Sequence, residues 1–227
     1  MIEKVNWDSD FFGYSIGKVN LNTKEDYYSF LEINKKEHRL IYVFSKNELE
    51  IENQSFKKVD DKLTYIKFIE NINKTNINDS IKKVELNKNN FDSILQLAYL
   101  SGKYSRFNMD ENFKNDEYKR MYKIWITNTN QNKNIIVKYS NSDILGFVLY
   151  SIKGSTINIE LISVAEKTQG QGIGTELIKE IEQIGIKNHC NKIEVVTQGV
   201  NLPAIGLYTK NNFNLVNSVL IYHYWNL

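Results

Sequence analysis

The chain of 227 residues has one cysteine, one proline and three histidines. A single cysteine excludes a disulfide framework and a multi-cysteine zinc site, and it fits a reducing compartment. His38, His189 and His223 are far apart in sequence and form no metal-ligand spacing, so no metal is expected. Net charge is also small: 29 Lys and Arg against 27 Asp and Glu give a formal +2. No strong field of either sign exists to recruit nucleic acid or an anionic membrane. No apolar run approaches the roughly 18 residues of a bilayer-spanning helix, and the segment Met1–Trp7 has no apolar secretion signal. These absences predict a soluble, cytoplasmic protein. Arginine is scarce, standing only at 39, 106 and 120 in a chain rich in Lys, Asn and Ile. Where lysine is the default cation, an arginine marks a place for the planar guanidinium fork.

What is present is globular: 41% hydrophobic and 12% aromatic residues, in a length that suits one large domain or two small ones. Ile135–Ser140 and Ile144–Ile152 are β-branched runs around a turn at Asn141-Ser142-Asp143, and Thr156–Val164 follows a second turn at Lys153-Gly154-Ser155. Three strands joined by tight turns predict an antiparallel meander. The period then changes. Leu177, Ile178, Ile181 and Ile184 lie on one helical face. A strand is predicted at Lys192–Thr197, a short helix at Ala204–Lys210 and a last strand at Leu215–Trp225. Upstream, Phe91, Ile94, Leu95 and Ala98 fit one helix, and Phe113, Met121, Tyr122 and Trp125 another.

Residues 1–78 differ in character and are expected to form a small α/β domain, with strands near 15–20, 40–45 and 62–68 and a helix near 24–36. Glu70–Ser80 holds five Asn or Asp in eleven positions and is the linker candidate. This assigns 79–227 to the second domain. Phe56, Val59, Leu63 and Tyr65 repeat the spacing of Phe213, Val216, Leu220 and Tyr222. That echo fits either chance alternation in two strands or a degenerate duplication.

The most informative stretch runs from Ile159 to Thr175: a strand, then Gln169-Gly170-Gln171-Gly172-Ile173-Gly174, then a helix. Glycines there let backbone N–H groups turn inward together, and the helix start adds partial positive charge, which makes a pyrophosphate cradle. A dinucleotide fingerprint would need a glycine at Thr175, and a Walker loop would need Gly-Lys-Ser/Thr. The preceding strand belongs to an antiparallel meander, whereas dinucleotide-binding sheets are parallel. An ordinary glycine turn capping a helix is the alternative.

The remaining pattern, Gln169-x-x-Gly172-x-Gly174, resembles the coenzyme A loop of the GNAT N-acetyltransferase superfamily. Asn201, Ala204, Leu207, Tyr208 and Phe213 are similar to that family's second signature, with Asn212 where the family has glycine. Asparagine is the next-best occupant of a positive-φ position after a helix. The resemblance implies an α+β fold, a mixed central sheet with helices on both faces and two central strands splayed apart around acetyl-CoA. It implies roles as well. Ile162-Ser163-Val164 would line the thioester and pantetheine, with the Ile162 N–H facing the thioester oxygen. Residues 169–175 (Gln169, Gly170, Gln171, Gly172, Ile173, Gly174 and Thr175) would hold the pyrophosphate. Asn201 would touch the coenzyme arm, and Tyr208 would protonate the departing thiolate. The alternative for Tyr208 is a buried structural tyrosine.

Trp7–Gly13, Tyr104–Asp110 and Tyr222–Trp225 are similar to the GNAT branch that contains dTDP-fucosamine N-acetyltransferase. That branch implies a nucleotide-linked amino-deoxysugar as acceptor, surface-polysaccharide synthesis and, by resemblance only, a homodimer. Tyr104, Arg106, Phe107 and His223 are the acceptor candidates. Arg106 could instead pair with Asp110 or Glu111, and the aromatic residues could simply be core. Glu160 shares a face with Ile162 and Val164 if the strand is regular, which makes it the first candidate base, with His223 the second. Cys190 is expected to be a small core residue. Another amine acceptor, such as a protein N-terminus or an antibiotic, stays open, and so does a non-catalytic acyl-CoA-binding role.

Overall fold

The computed structural model describes residues 2–33, 35–49, 55–70, 79–114, 116–128 and 133–226. In chain order the elements are β1 (Glu3–Lys4), α1 (Asn6–Phe12), β2 (Ile16–Asn20), α2 (Lys24–Glu32), β3 (Leu40–Ser45), β4 (Phe56–Phe68), β5 (Ile81–Val84), α3 (Phe91–Ser101), α4 (Arg106–Met109) and α5 (Glu117–Thr127). There follow β6 (Lys133–Ser140), β7 (Asp143–Lys153), β8 (Thr156–Val164), a 3-10 turn (Glu166–Thr168), α6 (Ile173–Lys187), β9 (Lys192–Gln198), α7 (Leu202–Lys210) and β10 (Asn214–Trp225). The fold is α+β with mixed strand pairing.

Two compact units divide the chain: Met1–Leu63 with Gln198–Val200 and Asn217–Leu227, and Thr64–Thr197 with Asn201–Val216. The boundary drawn at 78 and all but residues 70, 79 and 80 of the linker expected over 70–80 lie outside the described residues. Strands β4 and β10 contribute residues to both units.

In the first unit β1 is antiparallel to β2, β2 parallel to β3, and β3 antiparallel to Leu220–Trp225 of β10. Helix α2 opens on Thr23, whose hydroxyl accepts from the Asp26 N–H while the Asp26 carboxylate accepts from the Thr23 N–H. Tyr27 and Phe30, three apart, then face inward, and Phe30 joins Val19, Ile41, Val43 and Tyr222 in the core. The short helix α1 gives no long apolar period to read. Its Ser9 hydroxyl donates to Val5 O and accepts from the Ile16 N–H, and Gly13 closes it at φ +77°.

In the second unit β5, β6, β7 and β8 form an antiparallel run, and β9 joins β8 in parallel. Gly146–Ser151 of β7 are all buried. A strand buried on both faces needs a layer on each, and α3 and α6 both pack on β7 and β8. Strand β5 reads Ile-Lys-Lys-Val, and its two central lysines are exposed. That polarity hides it from an apolar-run search. Strand β4 starts at Phe56 rather than 62 for the same reason, since Lys57 and Lys58 interrupt its first turn of alternation.

Candidate active site

The site grows from an irregularity in β8. Tyr150 of β7 faces Ile159, but the next residue back, Leu149, faces Leu161, so Glu160 is one residue too many on β8. The extra residue reverses which neighbour each backbone group addresses. Before it, Ser155 O accepts from the Asn191 N–H on the β9 side at 2.9 Å. After it, the Ala165 N–H donates to Leu145 O on the β7 side at 2.8 Å. Odd-numbered residues therefore face β9 before the bulge and β7 after it. Ile162 and Val164 turn their N–H and C=O groups toward β9's side.

On that side, β9 has departed. Among the described residues, pairing between the two strands runs from Thr156↔Lys192 to Ile159↔Val195, while β8 continues to Val164. The result is a parting of two parallel strands, with donors and acceptors of β8 aimed into it. A cleft of about 420 Å³ opens there. Ile162, Ser163 and Val164 line it, as do Gln169, Gly170, Gly172, Ile173, Gly174 and Thr175. Gln171 is exposed on the same loop. The side chain of Gln169 donates from Nε2 to Val164 O at 3.0 Å, tying the loop to the strand's end.

The loop has the conformation of an anion nest. Gly170 and Gly172 take φ +78° and +85°, where an L side chain is strained. Gly172 is the N-cap of α6 and has no side chain to bond the helix's first N–H groups. A Cβ on Gly174 would lie 3.0 Å from Leu207 Cδ1, so its absence lets α7 approach α6 closely.

Helix α7 supplies another wall. Asn201, Pro203, Ala204, Gly206 and Leu207 line the cleft. Asn201 Oδ1 accepts from the Ala204 N–H at 3.2 Å, capping α7. Asn212 follows the helix at φ +61°, the conformation its place in the glycine position demands. Tyr208 is 2% exposed, its ring against Tyr65 and Phe213, and it is not among the residues that line the cleft. Burial pushes its phenol well above the ordinary tyrosine value. It therefore stays protonated at neutral pH.

On the remaining side, Leu100, Ser101, Lys103 and Tyr104 line the same cleft. Arg106 opens α4 with its guanidinium over the Phe107 ring at 4.7 Å, and Phe107 meets Phe113. Along β8, burial still alternates through the bulge: Ile159, Leu161 and Ser163 are buried, and Glu160, Ile162 and Val164 are half-buried. Glu160 Oε2 accepts from the Trp125 indole N–H at 3.0 Å. Trp125 packs on Tyr122, which packs on Tyr118. The indole N–H, a donor only, holds that carboxylate oxygen from the neighbouring helix. The sequence places Trp125 in an aromatic segment but gives no sign of its partner 35 residues away.

His223 belongs to the first unit, is 0% exposed and lies against the rings of Tyr42 and Trp225. Cys190 is buried, which raises its thiol pKa and suits a core residue. Among the described residues no group of three His, Cys, Asp or Glu could hold a metal ion, and no helix is long and apolar enough to cross a membrane.

A parted pair of parallel strands, a bulged strand with its amides turned into the gap and a glycine nest at the next helix make one continuous cleft lined with backbone donors. A sequence model of the acetyltransferase (GNAT) family matches residues 97–213, just over half of the chain, and the chain belongs to that family. It is 32% identical over 73 residues to YdhI, an uncharacterized protein of Bacillus subtilis (strain 168). That match covers 32% of this chain and 44% of YdhI, less than half its length. The fold is similar to that of a conserved protein of unknown function from Staphylococcus epidermidis ATCC 12228, with TM-score 0.65 and 18% identity over 94% of this chain and 85% of that one. It is also similar to a GCN5-related N-acetyltransferase from Sphaerobacter thermophilus, with TM-score 0.55 and 12% identity over 88% of this chain and 64% of that one.

Proposed function

We propose that this protein moves the acetyl group of acetyl-CoA onto the amine of a nucleotide-linked amino-deoxysugar, of the dTDP-4-amino-4,6-dideoxyhexose type, for surface-polysaccharide synthesis. The observation that carries the coenzyme half is the bulge at Glu160, which turns the amides of Ile162 and Val164 into the gap left by β9. That row leads straight into the Gly170–Gly172 nest. Acetyl-CoA supplies an acetyl group activated as a thioester.

The chain's own groups then divide the work. The Ile162 N–H donates to the carbonyl oxygen as negative charge gathers there. Glu160 takes a proton from the attacking amine, directly or through one water. Tyr208 gives its proton to sulfur as the C–S bond breaks and the N–C bond is completed, and solvent restores both groups. On the acceptor side, Trp125 keeps the Glu160 carboxylate aimed, while Tyr104, Arg106 and Phe107 meet the sugar nucleotide. The Arg106 fork suits a diphosphate, and the neighbouring rings suit a base or a deoxysugar methyl. The sugar half is supported by the likeness of Trp7–Gly13 and Ser105-Arg106-Phe107 to the sugar-nucleotide branch.

Free-thiol release from acetyl-CoA over a panel of amines tests this reading. Release with the aminodeoxysugar nucleotide alone is the expected result. Release with other amines instead moves the acceptor, and coenzyme binding without any release removes the transferase reading. Tyr208→Phe is expected to lower kcat by roughly tenfold to a thousandfold, within the range of general-acid effects. An unchanged kcat, with chemistry limiting, takes Tyr208 out of the mechanism.

A further inference from the structure

Two buried amide hydrogens connect the two halves of the coenzyme cleft. Asn211 caps the end of α7 and is 7% exposed. Its Nδ2 lies 2.8 Å from Leu207 O and 3.2 Å from Thr175 Oγ1. A carbonyl oxygen can only accept, so the contact with Leu207 O identifies the nitrogen end of the side-chain amide. The second hydrogen of that nitrogen goes to Thr175. The Thr175 oxygen is thereby an acceptor toward Asn211, and its own hydrogen must point elsewhere. Thr175 is the third residue of α6, is half-buried and lines the cleft beside the nest. Among the described residues that hydroxyl donates to nothing. It sits at the positive end of a helix dipole, where an anion is favoured.

We infer that Asn211 is a positioning residue that commits the Thr175 hydroxyl to donate to a phosphoryl oxygen of the bound coenzyme. The claim rests on the coenzyme reading of the cleft. Without Asn211 the hydroxyl is free to donate into the space between α6 and α7 and to offer the ligand a lone pair instead, which repels a phosphate. A purely structural asparagine would stabilise α7 and leave ligand affinity alone.

Calorimetric titration of coenzyme A into the full chain and four variants decides the matter. Thr175→Val, which removes the hydroxyl, is expected to weaken binding about tenfold, the size of one hydrogen bond to a charged group. Thr175→Ser is expected to keep it. Asn211→Ala should weaken binding about threefold to fivefold, and the double variant Asn211→Ala/Thr175→Val should bind no more weakly than Thr175→Val alone. Asn211→Asp keeps the side chain's shape but accepts the Thr175 proton, and is expected to match or exceed the loss in Thr175→Val. It serves as the probe if Asn211→Ala does not fold. Equal affinity in Asn211→Asp and the unaltered chain overturns the inference. So does a penalty of Asn211→Ala that persists in full on the Thr175→Val background. An unaltered, folded chain that gives no heat with coenzyme A overturns the coenzyme reading itself, a different result from variants that all bind alike.

Discussion

Helices α2 and α6 start in opposite ways, and the difference separates a helix start closed by its own side chains from one left open on a cleft. At α2 a reciprocal capping box closes the helix start. Thr23 accepts from the Asp26 N–H at 3.0 Å, and Asp26 Oδ2 accepts from the N–H groups of Asn22 and Thr23 at 2.9 and 3.1 Å. At α6 the cap is Gly172, at φ +85° and without a side chain, and the first turn opens on the cleft. Both starts carry the same partial positive charge. One neutralises it with its own carboxylate, and the other leaves it facing the cleft. Helix α7 is intermediate: Asn201 caps the Ala204 N–H and also lines the cleft.

Closing α6 is the most damaging way to break this contrast. Gly172→Asp places a carboxylate in the nest, and coenzyme A affinity is expected to fall by about 100-fold or more, since at least two bonds to charged oxygens are lost. Calorimetry reads it, and a variant that binds normally would refute the nest. Asn201→Ala should show both kinds of loss, about 1 kcal/mol of stability for the missing cap and a severalfold weaker affinity. Opening α2 with Thr23→Ala should cost about 1 kcal/mol in denaturant unfolding and leave coenzyme affinity unchanged. A change in affinity there would mean the two starts are not functionally distinct.

The smallest effect is in acid. The Asp26 carboxyl is held below its ordinary value, first by the Asn22 N–H and then by Thr23. A depressed folded-state value gives stability that is present above the unfolded value and lost as pH falls through the folded one. The unaltered chain should thus lose a little stability below about pH 4, and Asp26→Asn should flatten that limb of a thermal-unfolding profile. An unchanged limb would show that the carboxylate contributes nothing there.

Legibility in the sequence follows the range of the interaction. The loop at 169–175 is readable because positive φ strongly favours glycine at Gly170 and Gly172, and the position of α6 is readable because Leu177, Ile178 and Ile181 repeat at the helical period. Asn212 is readable as a stand-in for glycine, again through its φ of +61°. Strand β5 is missed because its central residues are lysines. Asn211 is missed because asparagine is common throughout this chain and marks nothing by itself.

Amino-acid order alone settled several local events: the meander that begins near Ile135, the helix after Gly174 and the place where a phosphate-sized nest can form. Each of these depends on backbone sterics and periodicity within one or two turns. Three-dimensional packing settled the rest. The extra residue at Glu160 has meaning only against the register of β7, the indole of Trp125 reaches that carboxylate from another layer, and Asn211 meets Thr175 across 36 positions of chain. A hydrogen bond is a statement about distance in space, and spacing along the chain encodes that distance only for near neighbours.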